Sequence, residues 1–315
     1  MNTAASTAST ASTPRIIAVD IDGTLLSTRG MVLPGTRAEF ARARQQGATI
    51  VFASGRPVVG LQQLAERVQL DTSGSVFVGG NGSRSVLADT GAVVARHGLG
   101  FEFTSRIIGL AAEHDIVVMI CEDHKLITDR PENTQVIFEA EGNGQTLQAV
   151  PDLATLTEAD VDADKILLYA DPALLRPFSE VFAGEFGDQI EYSFSAPFYF
   201  EATAKGVDKG SALVAVAEAL GVPLSEVVAF GDNGNDLPMI EAAGIGVAME
   251  NGTAAVRAAA DRVTASNDAE GIASVLMDLY GGGEPAPPVP EPAGIEPLYA
   301  LDLRDPTEEP HHRDE

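Results

Sequence analysis

The sequence predicts an α/β fold in which a parallel sheet, covered by helices on both faces, is interrupted by an inserted α+β segment. Short β-branched apolar runs alternate with helical stretches over residues 14–84 and again over 203–280. This is the pattern of buried parallel strands joined by crossover helices. Residues 85–202 instead carry paired strand-like runs separated by turn residues, which is the pattern of hairpins. We therefore expect a discontinuous core built around one insert.

Length and composition fit two domains and exclude several classes of function. The chain has 315 residues, which is about two domains at ~150 residues each. It carries 46 acidic against 20 basic side chains, a formal charge of −26. Nucleic acid and anionic membranes are therefore excluded as main partners, because both bind basic surfaces. The single cysteine permits no intrachain disulfide and fits a reducing compartment, so we expect a cytoplasmic protein. The sequence has no run of about 18 or more apolar residues, so we expect no membrane span.

Both ends of the chain are expected to be disordered. Residues 1–13 form a leader rich in Thr, Ala and Ser that lacks the basic and apolar regions of a signal peptide. Residues 281–315 form an acidic tail with eight prolines. Such a composition buries too little apolar surface to offset the entropy of the chain.

Polar residues follow three strand-like runs of the predicted core. Ligands of open parallel sheets bind at the carboxyl ends of the strands, so we expect these residues to meet at one edge. The runs and the residues that follow them are Ile16–Val19 before Asp20, Thr49–Ala53 before Ser54, and Val227–Phe230 before Gly231-Asp232.

The first motif is Asp20-Ile21-Asp22-Gly23-Thr24, in which two carboxylates leave a strand and enter a glycine turn. Neighbouring carboxylates repel each other, which raises one pKa unless a cation neutralises them. A hard cation such as Mg²⁺ suits a site made of oxygen ligands. One carboxylate can then act as a nucleophile and the other as an acid or base. The simpler interpretation is an ordinary Asp-Gly turn.

The second motif is Ser54-Gly55-Arg56-Pro57, which precedes a predicted helix. A hydroxyl group and backbone N–H groups at the start of a helix bind anions. The same residues also fit a plain helix cap, with Ser followed by Pro.

The third motif is Lys205-Gly206-Val207-Asp208-Lys209-Gly210, at the start of an apolar helix. A lysine directed into the site would neutralise a phosphate group and a nucleophilic carboxylate. A lysine at a helix start is more commonly a solvated surface residue, and spacing does not decide between Lys205 and Lys209.

The fourth motif is Gly231-Asp232-Asn233-Gly234-Asn235-Asp236, where carboxylates again follow a strand in a glycine turn. Alone it fits a turn with a helix cap. Together with the first motif, it supplies further oxygen ligands for a metal ion.

In this order and spacing, the four motifs resemble those of the haloacid dehalogenase superfamily of phosphotransferases. The insert between Ser54 and Lys209, and Asn81-Gly82 shortly after the apolar strand-like run Val76–Val78, are similar to the Cof-type subfamily with a type IIB cap. The resemblance covers about residues 14–280. It implies a Rossmann-like core of residues 14–84 and 203–280 and a cap domain of residues 85–202.

The resemblance also implies residue roles. Asp20 would form an aspartyl-phosphate, and Asp22 would protonate the leaving alcohol and then activate water. Mg²⁺ would be held by Asp20, the Asp22 carbonyl and Asp232. Ser54 and Gly55 would bind the phosphate group, and Lys209 would balance its charge, with Lys205 as the weaker candidate. Arg56 would contact the substrate. Asn235 and Asp236 would orient metal-bound water or phosphate.

These patterns lead to three hypotheses of function. The first is a Mg²⁺-dependent phosphatase acting on a small phosphorylated metabolite, such as a sugar phosphate or a phosphorylated cofactor. The second is a hexose-phosphate phosphomutase, and the third is a non-catalytic binding protein that uses the acidic tail for docking. The cap region, residues 84–202, has a net charge of −14 and offers no long-range attraction to anionic substrates. The substrate and protein partners are not predicted by the sequence.

Overall fold

The computed structural model describes residues 13–281, which form two sheets with helices packed against them. The predictions for residues 1–12 and 282–315, including the docking tail, lie outside the described residues. The strands are β1 Ile16–Asp20, β2 Thr49–Ala53, β3 Val76–Gly79, β4 Arg84–Leu87, β5 Val93–Arg96, β6 Val117–Cys121, β7 Lys125–Thr128, β8 Thr146–Ala149, β9 Lys165–Tyr169, β10 Ile190–Ala196, β11 Tyr199–Ala204, β12 Val227–Gly231, β13 Ile245–Met249 and β14 Arg262–Thr264. The α-helices are α1 Pro34–Gln45, α2 Val58–Arg67, α3 Phe101–Glu113, α4 Thr134–Gly142, α5 Pro172–Phe186, α6 Lys209–Leu220, α7 Leu237–Ala242, α8 Ala254–Ala259 and α9 Gly271–Leu279. Within this range, the longest and most apolar helices still fall short of what a membrane crossing requires.

The core sheet has the order β14-β13-β12-β1-β2-β3-β4-β5, and its strands from β14 to β3 are parallel. β1 lies at its centre and is buried throughout. Its side chains alternate between two apolar layers, as a strand covered on both faces requires. Ile17 packs in the same layer as Phe40 of α1, and Ile16 in the same layer as Leu213 of α6. The predicted α/β core is confirmed.

The core extends further along the chain than predicted. The sequence assigned residues from 85 onward to the insert, but β4 and β5 continue antiparallel from β3 and belong to the core sheet. Val86 of β4 is buried in the core's apolar layer, which explains why this hairpin stays with the core. The predicted boundary at 85 is therefore wrong by about a dozen residues, and the insert begins after Arg96.

The insert forms a second sheet with the order β10-β11-β9-β6-β7-β8. Two hairpins predicted from the sequence, β6–β7 and β10–β11, are confirmed. The central strand β9 was not predicted, although its apolar sequence KILLY carries the strand signal. β7 and β8 pair in parallel because α4 connects them.

The helices of the insert lie on both faces of its sheet. α3 and α5 cover one face, where Ile107 and Phe178 pack with Ile120. α4 lies on the opposite face, where Val136 packs with Leu167. The parallel β7–α4–β8 connection puts α4 on this face.

Ion pairs fasten the insert to the core. Arg84 and Arg96 leave adjacent core strands, and both bind the carboxylate of Asp164 just before β9, at 2.9 and 3.0 Å. Asp123, in the turn between β6 and β7, accepts a hydrogen bond from the backbone N–H of Val59 in α2 at 3.2 Å. These contacts hold β9 and the β6–β7 turn against the carboxyl edge of the core sheet.

The aromatic layer of the insert predicts the effect of one substitution in α5. Phe182 is fully buried among other aromatic rings, so Phe182→Ala leaves a cavity and should lower the free energy of unfolding by about 3–5 kcal/mol. Leu174→Ala, in the exposed part of the same helix, should change it by less than about 0.5 kcal/mol. Urea unfolding followed by circular dichroism measures both. Equal effects would contradict the described packing of α5.

Candidate active site

Three carboxylates from the ends of two adjacent strands form the floor of the candidate site. Asp20 ends β1, and Asp232 and Asp236 follow β12, which pairs with β1 through Val19 and Phe230. One carboxylate oxygen from each of the three aspartates lies within 4.8 Å of the others. The expectation that the first and fourth motifs meet at one edge is thus met by the geometry.

Lys209 provides the cation inside this cluster. It is the first residue of α6, and its side chain is fully buried. Its Nζ donates to Asp20 Oδ1 at 2.5 Å and to Asp236 Oδ1 at 2.6 Å. Lys205 instead forms an exposed ion pair with Glu191 at 3.2 Å. The geometry therefore selects Lys209 as the lysine of the site. The spacing of the third motif did not decide between Lys205 and Lys209.

Backbone and hydroxyl donors fix the loops that carry the carboxylates. Asp236 Oδ2 accepts hydrogen bonds from the backbone N–H groups of Asp232 and Asn233, both at 2.9 Å. Thr24 Oγ1 donates to Asp232 Oδ1 at 2.7 Å. Gly23 has a φ of +88°, and a Cβ there would lie 2.6 Å from Asp232 Oδ2, so only glycine permits this approach. Asp236 thus anchors the loop that carries Asp232.

Burial and mutual repulsion disfavour the charged forms of the carboxyl groups in this cluster. Burial raises the pKa of Asp20 well above its usual value, the charge of Asp236 raises it further, and Lys209 opposes both. Burial likewise raises the pKa of Asp232. Burial alone would lower the pKa of Lys209, but Asp20 and Asp236 overcome this and raise it. One ammonium group therefore does not balance three carboxylates.

Asp22 and Arg56 form a second charged pair at the rim. Arg56 Nε and Nη2 donate to the two carboxylate oxygens of Asp22, both at 3.0 Å, and the Asp22 side chain is about half exposed. The sequence predicted Arg56 as a substrate contact and did not predict this pair. With Arg56 included, four carboxylates face two cations, which leaves a net −2 that one divalent cation would balance.

The second motif lies beside this pair, but not at a free helix start. Ser54 is buried, and its Oγ accepts the N–H of Arg56 at 3.2 Å, so its own proton remains available to an anion. α2 begins at Val58, and one N–H of its first turn is bound by Asp123 of the insert. The predicted anion site at this helix start is therefore partly occupied by a protein carboxylate.

Two asparagines near the site were given no role by the sequence. Asn81, with a φ of +54°, accepts a hydrogen bond at its side chain from Asn235 Nδ2 at 3.1 Å. Asn251 Nδ2 donates to the carbonyl of Gly23 at 2.8 Å and so holds the turn of the first motif. Both asparagines belong to Asn-Gly pairs in loops that follow strands, and this pattern could have identified them from the sequence.

A cavity of about 310 Å³ lies between the core and the insert, above the carboxylate floor. None of the insert residues that line it was predicted from the sequence, because the spacing of residues does not reveal contacts between the two sheets. Its lining from the core is Asp20, Asp22, Ser54, Gly55, Arg56, Asn233 and Asn235, and its lining from the insert is Glu139, Asn143, Lys165, Leu167, Ser195, Tyr199 and Glu201.

The floor fits a divalent cation on the chemistry of its donors. Asp20, Asp232 and Asp236 offer only oxygen atoms, which are the ligands that Mg²⁺ prefers. Burial and the charge of Asp236 raise the pKa of Asp20 and Asp232, and Lys209 only partly opposes the rise. A bound divalent cation would stabilise both as carboxylates.

A parallel sheet with clustered carboxylates at its carboxyl edge, beneath an inserted α+β cap, defines a capped protein with a Rossmann-like core. Comparison with known proteins gives the same class. The family model for haloacid dehalogenase-like hydrolases matches residues 17–276, so the chain belongs to this family. It is an enzyme of the phosphatase type, as its named relatives are.

Individual relatives support the membership over most of the chain. The pyridoxal phosphate phosphatase YbhA of Escherichia coli is 30% identical over 278 residues, covering 84% of this chain and 98% of the relative. A haloacid dehalogenase-like hydrolase from Bacteroides thetaiotaomicron superposes with a TM-score of 0.75 at 28% identity, covering 84% and 99% of the two chains. The subclass IIB sugar phosphatase BT4131 superposes with a TM-score of 0.67 at 25% identity, covering 85% and 99%. The resemblance to Cof-type, type IIB cap proteins is confirmed.

The two lysines of the third motif predict contrasting effects on stability. In metal-free buffer at neutral pH, Lys209→Met should lower the free energy of unfolding by about 3–5 kcal/mol, because it leaves buried carboxylates without their cation. Lys205→Met should cost less than about 1 kcal/mol, because its pair is exposed. Denaturant unfolding of both variants measures the difference.

The pH dependence of the Lys209→Met deficit has a defined sign. A carboxyl group with a raised pKa in the folded state binds protons more readily there than in the unfolded state, so folding is favoured as the pH falls. The deficit should therefore shrink when the pH is lowered from neutral. A deficit that stays constant or grows at lower pH would contradict repulsion among the carboxylates as its cause.

Proposed function

We propose that this protein is a Mg²⁺-dependent phosphatase that hydrolyses a small phosphorylated metabolite through an aspartyl-phosphate on Asp20. The observation that carries the proposal is the convergence of Asp20, Asp232 and Asp236 at one sheet edge, where Lys209 binds Asp20 and Asp236 and where Asp20 lines the cavity. Relatives whose names give a substrate include a pyridoxal phosphate phosphatase, a sugar phosphatase, 5-amino-6-(5-phospho-D-ribitylamino)uracil phosphatases and an HMP-PP phosphatase, all acting on small phosphorylated molecules. The lone cysteine favours a cytoplasmic location for this chemistry.

Asp20 and Asp22 carry out the bond-making and proton-transfer steps of the proposed reaction. A carboxylate oxygen of Asp20 attacks the phosphorus, and the bond from phosphorus to the leaving alcohol breaks as Asp22 gives that oxygen a proton. Water then attacks the aspartyl-phosphate while Asp22 takes a proton from it. The bond from phosphorus to Asp20 breaks, which releases inorganic phosphate and restores the carboxylate.

The remaining residues bind and orient the phosphoryl group. Ser54 donates a hydrogen bond to its oxygens and Lys209 balances their charge, with Gly55 and Asn235 beside Ser54 in the cavity wall. Asp20, the carbonyl of Asp22, Asp232 and Asp236 are the residues that would hold Mg²⁺. The ion supplies positive charge to the transferring oxygens when it is bound.

Metal dependence gives the direct test of this function. Release of inorganic phosphate from a panel of phosphorylated metabolites should require Mg²⁺, fall to background in excess EDTA, and return when Mg²⁺ is restored. Asp20→Asn should reduce turnover to background, because an amide does not replace the nucleophile. Equal turnover in EDTA would contradict the metal site, and formation of a phosphorylated isomer without phosphate release would indicate the phosphomutase instead.

The role of Asp22 as acid and base predicts a loss in the chemical step. Asp22→Asn should lower kcat by about 10²–10⁴-fold, because an amide at this position neither gives nor takes the proton. Asp188→Asn, an exposed aspartate of the cap, is the matched control and should leave kcat unchanged. Steady-state kinetics on the best substrate of the panel measure both. A kcat of the Asp22→Asn variant within threefold of the original enzyme (roughly the scatter of such assays) would exclude Asp22 as the proton donor.

A further inference from the structure

The cap wall of the cavity carries charged residues that take no part in the chemistry at the floor. Three of them line the cavity: Glu139 from α4, Lys165 from the start of β9, and Glu201 from β11. The core residues form the opposite side, where Asp20 lies. With a phosphoryl group at Asp20, the cap residues face the leaving group of the substrate.

Lys165 is a buried ammonium group with a donor to spare. Its side chain is 7% exposed, and Nζ donates to Glu201 Oε2 at 3.2 Å and to the carbonyl of Gly55 at 3.3 Å. An ammonium group has three donors, and the hydrogen bonds described within residues 13–281 use two of them. Burial alone would lower the pKa of Lys165, but Glu201 and other neighbours raise it, so the group stays charged. Its contact with Gly55 also ties the cap to the loop of Ser54.

Glu139 is a carboxyl group of the cavity wall that forms no ion pair among the described residues. Its Oε1 accepts a hydrogen bond from Asn143 Nδ2 at 2.8 Å. Burial raises its pKa, Glu201 raises it further, and Lys165 and Arg56 oppose the rise. With Glu201, it gives the cap wall two carboxyl groups against one ammonium group. Such a wall offers acceptors to hydroxyl and amino groups and repels a second anion.

Two apolar side chains complete the wall beside these charges. Leu167 and Tyr199 line the cavity, and the Tyr199 hydroxyl group is engaged with Gln135 Oε1 at 3.3 Å. The ring of Tyr199 is therefore held in place and can pack against a flat group. At about 310 Å³ the cavity is near the lower end of the ~300–1,000 Å³ usual for small-molecule sites, which suits a leaving group with a single ring.

We propose that Glu139, Lys165 and Glu201 form a leaving-group subsite. It selects phosphate esters of ring alcohols that carry hydroxyl or amino groups, and it rejects leaving groups with a second anionic charge. Donor groups of the ring bind Glu139 and Glu201, an acceptor binds the free donor of Lys165, and the ring packs on Leu167 and Tyr199. This subsite deepens, and rests on, the proposed phosphatase function.

A matched set of aryl phosphates tests the charge preference. The substrates are 4-(hydroxymethyl)phenyl, 4-(aminomethyl)phenyl and 4-carboxyphenyl phosphate, which differ in the charge of one substituent. The unmodified enzyme should show kcat/KM for the hydroxymethyl and aminomethyl esters at least about tenfold above that for the carboxyl ester, the factor expected of one hydrogen bond to a charged group.

Isosteric variants assign the preference to named residues. Glu139→Gln should raise the kcat/KM of the carboxyl ester relative to the hydroxymethyl ester by about tenfold, and should lower that of the aminomethyl ester by a similar factor. Glu141→Gln, an exposed residue of the same helix, should leave both ratios unchanged. Glu201→Gln gives a second test in the same direction, because it frees Lys165 to bind the carboxyl group of the substrate.

The outcomes separate the subsite from the phosphatase function. Equal kcat/KM for the three esters, or equal shifts for Glu139→Gln and Glu141→Gln, would overturn the subsite while leaving the phosphatase function intact. If none of the esters is hydrolysed, the metabolite panel and the Asp20→Asn variant decide on the phosphatase function. Calorimetric binding of the three corresponding 4-substituted benzylphosphonates, which cannot be hydrolysed, then decides on the subsite. Weak binding of the carboxyl compound that improves in Glu139→Gln supports it, and equal affinities overturn it.

Discussion

The ammonium group of Lys209, buried between Asp20 and Asp236, is the interaction on which the architecture of the site depends. Three carboxylates collected at one sheet edge repel each other, and burial strengthens that repulsion by removing water. The three buried carboxylates are therefore tolerated only when Lys209 at the start of α6 is correctly placed against the end of β1 and the loop after β12. The negative charge that Lys209 leaves unbalanced links folding of the site to the binding of a cation.

The sequence predicted the core and its carboxylate edge well because both depend on local patterns. Apolar runs such as Ile16–Val19 mark buried strands, and the rule that ligands bind at strand ends brings Asp20 and Asp232 together. Spacing alone did not decide between Lys205 and Lys209, because the choice depends on which residue faces inward at the start of a helix; only the family resemblance favoured Lys209. The Asp22–Arg56 pair escaped for a similar reason, since two loops must first be placed in space.

The cap was predicted in outline and not in detail. Its hairpins carry turn residues that can be recognised, but the hairpin β4–β5 has the same appearance and belongs to the core. Whether a hairpin joins one sheet or another depends on long-range pairing, which short patterns do not encode. α4 is the instructive case: its position on the face toward the core follows from the parallel connection between β7 and β8, and this position brings Glu139 to the cavity.

The interrupted core has a consequence for how the chain is made. Thr24 and Asp232 are hydrogen-bonded but lie 208 positions apart, and β12 is the strand that pairs with β1 on one side. During synthesis, the whole sheet of the cap leaves the ribosome before β12 exists. The amino-terminal strands must then wait with an apolar edge unpaired, a state prone to wrong association. Early folding of the contiguous cap shortens the effective loop between β1 and β12, and so favours their pairing once β12 emerges.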